Sequence, residues 1–139
     1  MISSFEEKSV WVQLISLLIV LGGYSIVSGT MLANGVMLLV PYVPVFAVAV
    51  VALLLVMAFG YIAAALSGRR EKPDERDRQI SWRAESNSSW VLASGVFFAL
   101  CALILQLQPV WVAHLLLLFW FASELVKLIL QAVYYRRGV

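Results

Sequence analysis

Four long apolar segments follow one another along the chain, at residues 10–28, 45–66, 90–107 and 110–134. Each approaches or exceeds the roughly 20 residues that an α-helix needs to cross the hydrocarbon core of a bilayer, which is about 30 Å thick. Helices satisfy their own backbone hydrogen bonds, as lipid requires. The pattern therefore predicts an all-α fold, a polytopic membrane four-helix bundle that forms a single domain over residues 1–139.

The connections between these segments differ in length and polarity. The first, at residues 29–44, carries no charge and contains the helix breakers Pro41 and Pro44. The last is a short turn before Pro109, a residue that suits the first turn of a helix because its missing N–H would be unpaired there anyway. No proline follows Asp74 before the third segment ends, so the third helix is predicted to extend into the cytoplasm.

The composition predicts that most of the chain lies in lipid. The positions of the charged residues predict its orientation in the membrane. Hydrophobic residues make up 63% and charged residues 13% of the chain, whereas a water-soluble domain needs more polar surface. Outside the fourth segment the basic residues lie in three stretches: Lys8, Arg69, Arg70, Lys72, Arg76, Arg78, Arg83, Arg136 and Arg137. Because basic residues in short loops resist translocation, both termini and the middle loop are predicted to be cytoplasmic.

Two mixed-charge stretches are candidates for contact with a cytoplasmic partner: Glu6, Glu7 and Lys8, and then Asp74, Glu75, Arg76, Asp77 and Arg78. A mixed-charge helix can select one partner and exclude others. The same stretches also fit solvated helix starts that fix topology, the first with Ser3 or Ser4 in a capping box. The interspersed carboxylates argue against a nucleic-acid partner, which requires a continuous positive field.

The fourth segment carries a polar stripe inside the predicted membrane region. At about 100° per residue, Glu124, Lys127, Gln131 and Tyr135 fall on one side of the helix, together with Trp120. Charged groups in a span cost roughly 2.5 to 3.5 kcal/mol on insertion scales, so this side is not expected to face lipid.

Glu124 and Lys127 have two interpretations. In the first they form an ion pair that packs against polar residues of the first or third helix, as modest interhelical glue. In the second Glu124, in the inner third of the bilayer, is a proton or cation coupling site. A pathway would require further ionisable groups toward the opposite face, where only His114 lies.

No residue pattern predicts an enzyme, a metal or a cofactor. His114 lies about one helical turn from the outer end of its segment and is interpreted as an interfacial polar side chain. Cys101 is the single cysteine, so neither a CxxC pair nor a disulfide within the chain exists. HExxH, GxSxG and phosphate-binding glycine motifs are all missing. The sequence Asp74 to Asp77 also lacks the glycine turn of a calcium loop.

Small residues predict where helices approach closely. Gly22 and Gly23 in the first helix, and Gly60 and Ala64 in the second, are small enough for tight backbone contact. The spacing of Gly60 and Ala64 makes the second helix a candidate dimer face.

Three motifs spread along the chain carry a resemblance to a known family. They are FEEKSVW at residues 5–11, DERDRQI at 74–80 and YYRRG at 134–138. Together they resemble a family of short bacterial inner-membrane proteins of unknown function that have four predicted spans. The resemblance implies a multi-pass protein of the bacterial inner membrane and supplies no catalytic residue.

Two functions are therefore expected. The first is a non-enzymatic interaction protein or accessory, regulatory subunit in the lipid bilayer, acting as a homodimer or with a membrane or cytoplasmic protein. The alternative is a small proton- or cation-coupled transporter that uses Glu124, by analogy with four-span small multidrug resistance proteins. Those proteins rely on an acidic residue in the first helix, and the apolar body of this first helix has none.

Overall fold

A computed structural model describes residues 5–66 and 72–138 as four helices. They are α1 (Phe5–Ala33), α2 (Tyr42–Leu66), α3 (Glu75–Ile104) and α4 (Pro109–Arg137). All four are long and apolar enough to cross a membrane. The predicted all-α four-helix bundle is confirmed, whereas Ser3, Ser4, Arg69 and Arg70 lie outside the described residues.

The helices extend beyond the predicted segments at most of their ends. α3 begins well before residue 90 because Asp74 caps it: the Asp77 N–H donates to Asp74 Oδ1 over 2.8 Å, and the Asp74 N–H donates to Asp77 Oδ2 over 3.0 Å. The extended third helix is thus confirmed as a continuous element. Its far end lies at Ile104 rather than 107, because Gln106 adopts a positive φ of 57° in the turn before α4.

The main helix contacts run in a row from α2 to α1, from α1 to α4 and from α4 to α3. A cluster of buried residues joins α1 to α4 and consists of Val10, Leu14, Leu17, Leu128 and Ala132. A second cluster, Ala99, Ala102 and Val112, joins α3 to α4.

Glycines allow the close approaches in this row, although not all those that the sequence predicts. Val12 of α1 fills the space where Gly60 would carry a Cβ, and Phe119 of α4 does the same at Gly95 of α3. The expected close contact at Gly22 and Gly23 is wrong, since a Cβ at either position would meet nothing within 4 Å. The predicted dimer face at Gly60 is used within the chain by Val12.

Charged groups collect at one end of the bundle, hereafter the charged end. There the start of α1 meets the end of α4, with the Arg136 guanidinium 5.2 Å from the centre of the Trp11 ring. The start of α3 meets the same end of α4, where the Tyr135 hydroxyl donates to Asp77 Oδ1 over 2.7 Å. The first described turns of α1 and α3 and the last turn of α4 therefore lie at the same end of the bundle.

Candidate functional site

A polar pocket of about 220 Å³ opens between α1, α3 and α4 at the charged end. We call it the charged-end pocket. Each helix supplies a stripe of residues three or four positions apart, so that the stripe follows one face. The lining consists of Glu6, Ser9, Val10 and Gln13 from α1, Asp77, Ser81 and Glu85 from α3, and Lys127, Gln131 and Tyr135 from α4.

Hydrogen bonds hold the walls of this pocket together. Gln131, although only 9% exposed, satisfies its amide by donating from Nε2 to Ser81 Oγ over 3.3 Å. Gln13 Nε2 donates to Ser9 Oγ over 3.2 Å along the α1 wall. The first of these contacts joins α3 to α4, and both lie between residues that line the cavity.

Negatively charged groups outnumber positively charged groups in the lining of the pocket. Glu6, Asp77 and Glu85 contribute three carboxylates and Lys127 contributes one ammonium group. Such a lining suits a cationic group with hydrogen-bond donors. No group of His, Cys, Asp and Glu among residues 5–66 and 72–138 is placed to hold a metal ion.

Lys127 also belongs to an ion pair deeper in the bundle. Its Nζ lies 2.6 Å from Glu124 Oε2, and the two side chains are 25% and 40% exposed, respectively. About 10 Å of helix axis separates Glu124 from Gln131, so Glu124 lies farther from the charged end than the pocket does. The ion pair that the first interpretation predicted is present.

A second opening, the Glu124 cleft, lies beside this pair. It has a volume of about 180 Å³ and is lined by Gln13, Leu17, Leu53, Met57, Trp120, Phe121, Glu124 and Leu128. Gln13 is common to the charged-end pocket and to the Glu124 cleft. The ion pair thus borders two openings on neighbouring sides of α1 and α4.

His114 is remote from both openings and has a local structural role. Its Nδ1 lies 2.7 Å from the Val110 carbonyl, which only accepts, so Nδ1 carries the proton. The ring packs edge-on against Tyr42 at 4.8 Å between centroids. Its Nε2 is buried without a hydrogen-bond partner in the described part of the chain.

Four residues chosen from the sequence line the charged-end pocket, namely Glu6, Asp77, Lys127 and Gln131. The remaining acidic and basic candidates lie outside its lining: Glu7, Lys8, Asp74, Glu75, Arg76 and Arg78. Of these, Arg76 donates to the Tyr135 carbonyl over 3.3 Å and Asp74 caps α3.

Sequence reasoning did not single out Ser9, Ser81 and Glu85 as residues that line one site with Lys127 and Gln131. The signal for them was present, because Asp77, Ser81 and Glu85 repeat every four residues, as Lys127, Gln131 and Tyr135 do. Polar repeats of the same period on two antiparallel helices indicate that the two stripes face each other.

No family model, curated protein or solved structure matches the chain. Function must therefore be inferred from the geometry of the charged end and of the ion pair.

Proposed function

We propose that this protein is a small, non-enzymatic integral membrane protein that acts as an interaction or accessory subunit. The observation that carries the proposal is the charged-end pocket, in which carboxylates from α1 and α3 surround an opening with a single lysine. This charge balance favours a partner protein that inserts a lysine or arginine side chain. The hydrogen-bonded walls are preorganised for such a contact, which lowers the entropic cost of binding.

The proposed location is the bacterial inner membrane, with the charged end in the cytoplasm. The support is the distribution of basic residues, which favours retention of Lys8, Lys72 and Arg136 on the cytoplasmic side. A partner would then reach the pocket from the cytoplasm or through its own membrane-adjacent segment.

Site-specific photocrosslinking in cells tests this function. A photoreactive residue at Ser81 is expected to capture a discrete partner, whereas the same residue at Phe97, an exposed position on α3 far from the pocket, is not. Glu85→Gln should reduce capture because it removes a carboxylate from the lining. Glu75→Gln is the matched control, since Glu75 is exposed on α3 outside the lining. A strictly monomeric protein without a captured partner would contradict the proposal.

A second function is favoured by the position of the ion pair. Lys127 lines the charged-end pocket, Glu124 lines the cleft, and Gln13 borders both. In a small transporter, a proton or a cation could replace the Lys127 ammonium group as the partner of the Glu124 carboxylate at that junction. Glu124→Gln would abolish proton-coupled uptake into vesicles if the protein transports, with Glu75→Gln as the control. Uptake that is unchanged by Glu124→Gln, or no uptake by the wild type, would remove this alternative.

A further inference from the structure

An apolar groove of about 550 Å³ separates α1 from α2 over the half of the bundle away from the charged end. Its walls are five residues of α1 between Ile19 and Val27 and six residues of α2 between Pro44 and Val56. No lining residue is charged, and the hydroxyl of Tyr24 is the one polar side-chain group among them. The charged-end pocket and the Glu124 cleft do not share any of these residues.

Small residues create the width of the groove. A Cβ at Gly23 would meet nothing within 4 Å, so no side chain of the described bundle fills this position. Ala49 and Ala52 face it from α2. Ile19 and Val48, at 60% and 69% exposed, leave the groove open toward the surroundings of the bundle.

The groove has the length of one bilayer leaflet. From Pro44 to Val56 it follows α2 for about 18 Å, close to half of the roughly 30 Å hydrocarbon core. It closes toward the charged end, where Val12 packs onto Gly60 and brings the two helices together. A transmembrane helix crosses the whole core, so it could place only about half of its length in a slot that ends near the middle.

From these features we infer that the α1–α2 groove binds one acyl chain of a phospholipid from the leaflet at the uncharged end. The chain enters between Val27 and Pro44 and ends near Val56. Because lipid tails and the groove are equally apolar, packing rather than water exclusion holds the chain there. This site is independent of the partner contact proposed for the charged end.

Photolabelling in nanodiscs tests the site. The full-length protein is reconstituted with a phosphatidylcholine that carries a diazirine on one acyl chain, and adducts are mapped by mass spectrometry. Adducts on the wild type are expected to concentrate on residues 19–27 and 44–56. Gly23→Leu should abolish most of them because the new side chain occupies the groove.

Gly22→Leu is the matched control. Gly22 is also an exposed helical glycine with nothing within 4 Å of its Cβ position, but it does not line the groove. The control should label like the wild type, and Ala52→Leu should reproduce the loss from the α2 wall if Gly23→Leu folds poorly. Equal labelling of both glycine variants, or labelling as strong at Phe97 as in the groove, would overturn the inference. Crosslinks between two protein chains from a photoreactive residue placed at Gly23 would overturn it in favour of a second copy.

Discussion

The hydroxyl of Tyr135 donates a hydrogen bond to Asp77 Oδ1 over 2.7 Å and thereby joins the last turn of α4 to the first turn of α3. The other carboxylate oxygen, Asp77 Oδ2, accepts the backbone N–H of Asp74 at the helix cap. One carboxylate therefore closes the cap of α3 and links two helices, next to the charged-end pocket.

Loss of the Tyr135 hydroxyl is expected to destabilise the bundle modestly. A hydrogen bond to a charged group contributes up to 3 kcal/mol when buried, and partial exposure here reduces the expected loss in Tyr135→Phe to about 1 kcal/mol. Asp77→Ala should be more damaging, because it also removes the capping bond. The free energy of unfolding in mixed detergent micelles measures both effects. Tyr61→Phe, on α2 and outside this contact, controls for loss of a phenol; a loss equal to that in Tyr135→Phe would contradict the role of the bond.

The contact between Gly60 and Val12 predicts a size-specific defect. Gly60→Ala places a Cβ against Val12 Cγ1, and overpacking of this kind costs about 1 to 3 kcal/mol. Adding Val12→Ala to Gly60→Ala should restore most of the stability, because it removes the clashing methyl groups. Gly22→Ala, where the space is open, should be neutral or slightly stabilising. Thermal denaturation in detergent is the measurement, and failure of the second substitution to rescue the first would refute this packing.

The helices themselves could be predicted because lipid demands long apolar runs and because caps are local. Asp74, followed by an acidic residue three positions later, is a recognisable helix-capping motif and so predicted the start of α3. The end of α3 was predicted less accurately than its start. It depends on a positive φ at Gln106, and glutamine is not a residue type that favours this conformation.

Packing partners could not be predicted from residue size alone. Gly22, Gly23 and Gly60 look alike in sequence, but only Gly60 is covered by another helix. Which face meets a neighbour depends on the order of the helices in the row. That order also places Glu6 and Asp77 in the lining of one pocket despite their long sequence separation, whereas the Glu124–Lys127 pair is local and was predictable.

Substitutions of the two residues in the ion pair are expected to destabilise the protein to different extents. Lys127→Met leaves the Glu124 carboxylate unpaired in the apolar part of α4, at a cost of roughly 2 kcal/mol or more on insertion scales. Glu124→Gln should cost less, because the long lysine side chain can extend toward the charged end. The double variant should recover stability relative to Lys127→Met. Unfolding free energies of the three variants test this order, and additive losses in the double variant would argue against coupling of the pair.

Cysteine labelling tests the proposed orientation. Cys101, the single cysteine, is replaced by serine, and single cysteines are placed at Met37, Gln79 or Arg137, all of which are exposed. Met37 lies in the uncharged connection, whereas Gln79 and Arg137 lie at the charged end. A membrane-impermeant maleimide is applied to spheroplasts before and after permeabilisation.

Met37→Cys is expected to react in intact spheroplasts, and Gln79→Cys and Arg137→Cys only after permeabilisation, because the basic residues favour the proposed retention of the charged end in the cytoplasm. Arg137→Cys removes one basic residue of several, so Gln79→Cys, which preserves every charge, is the stricter reporter. Labelling of Gln79 in intact spheroplasts would invert the orientation and place the charged-end pocket beyond the reach of cytoplasmic partners. Labelling of the cysteines at positions 79 and 137 from opposite sides of the membrane would contradict the bundle itself, because Tyr135 donates a hydrogen bond directly to Asp77.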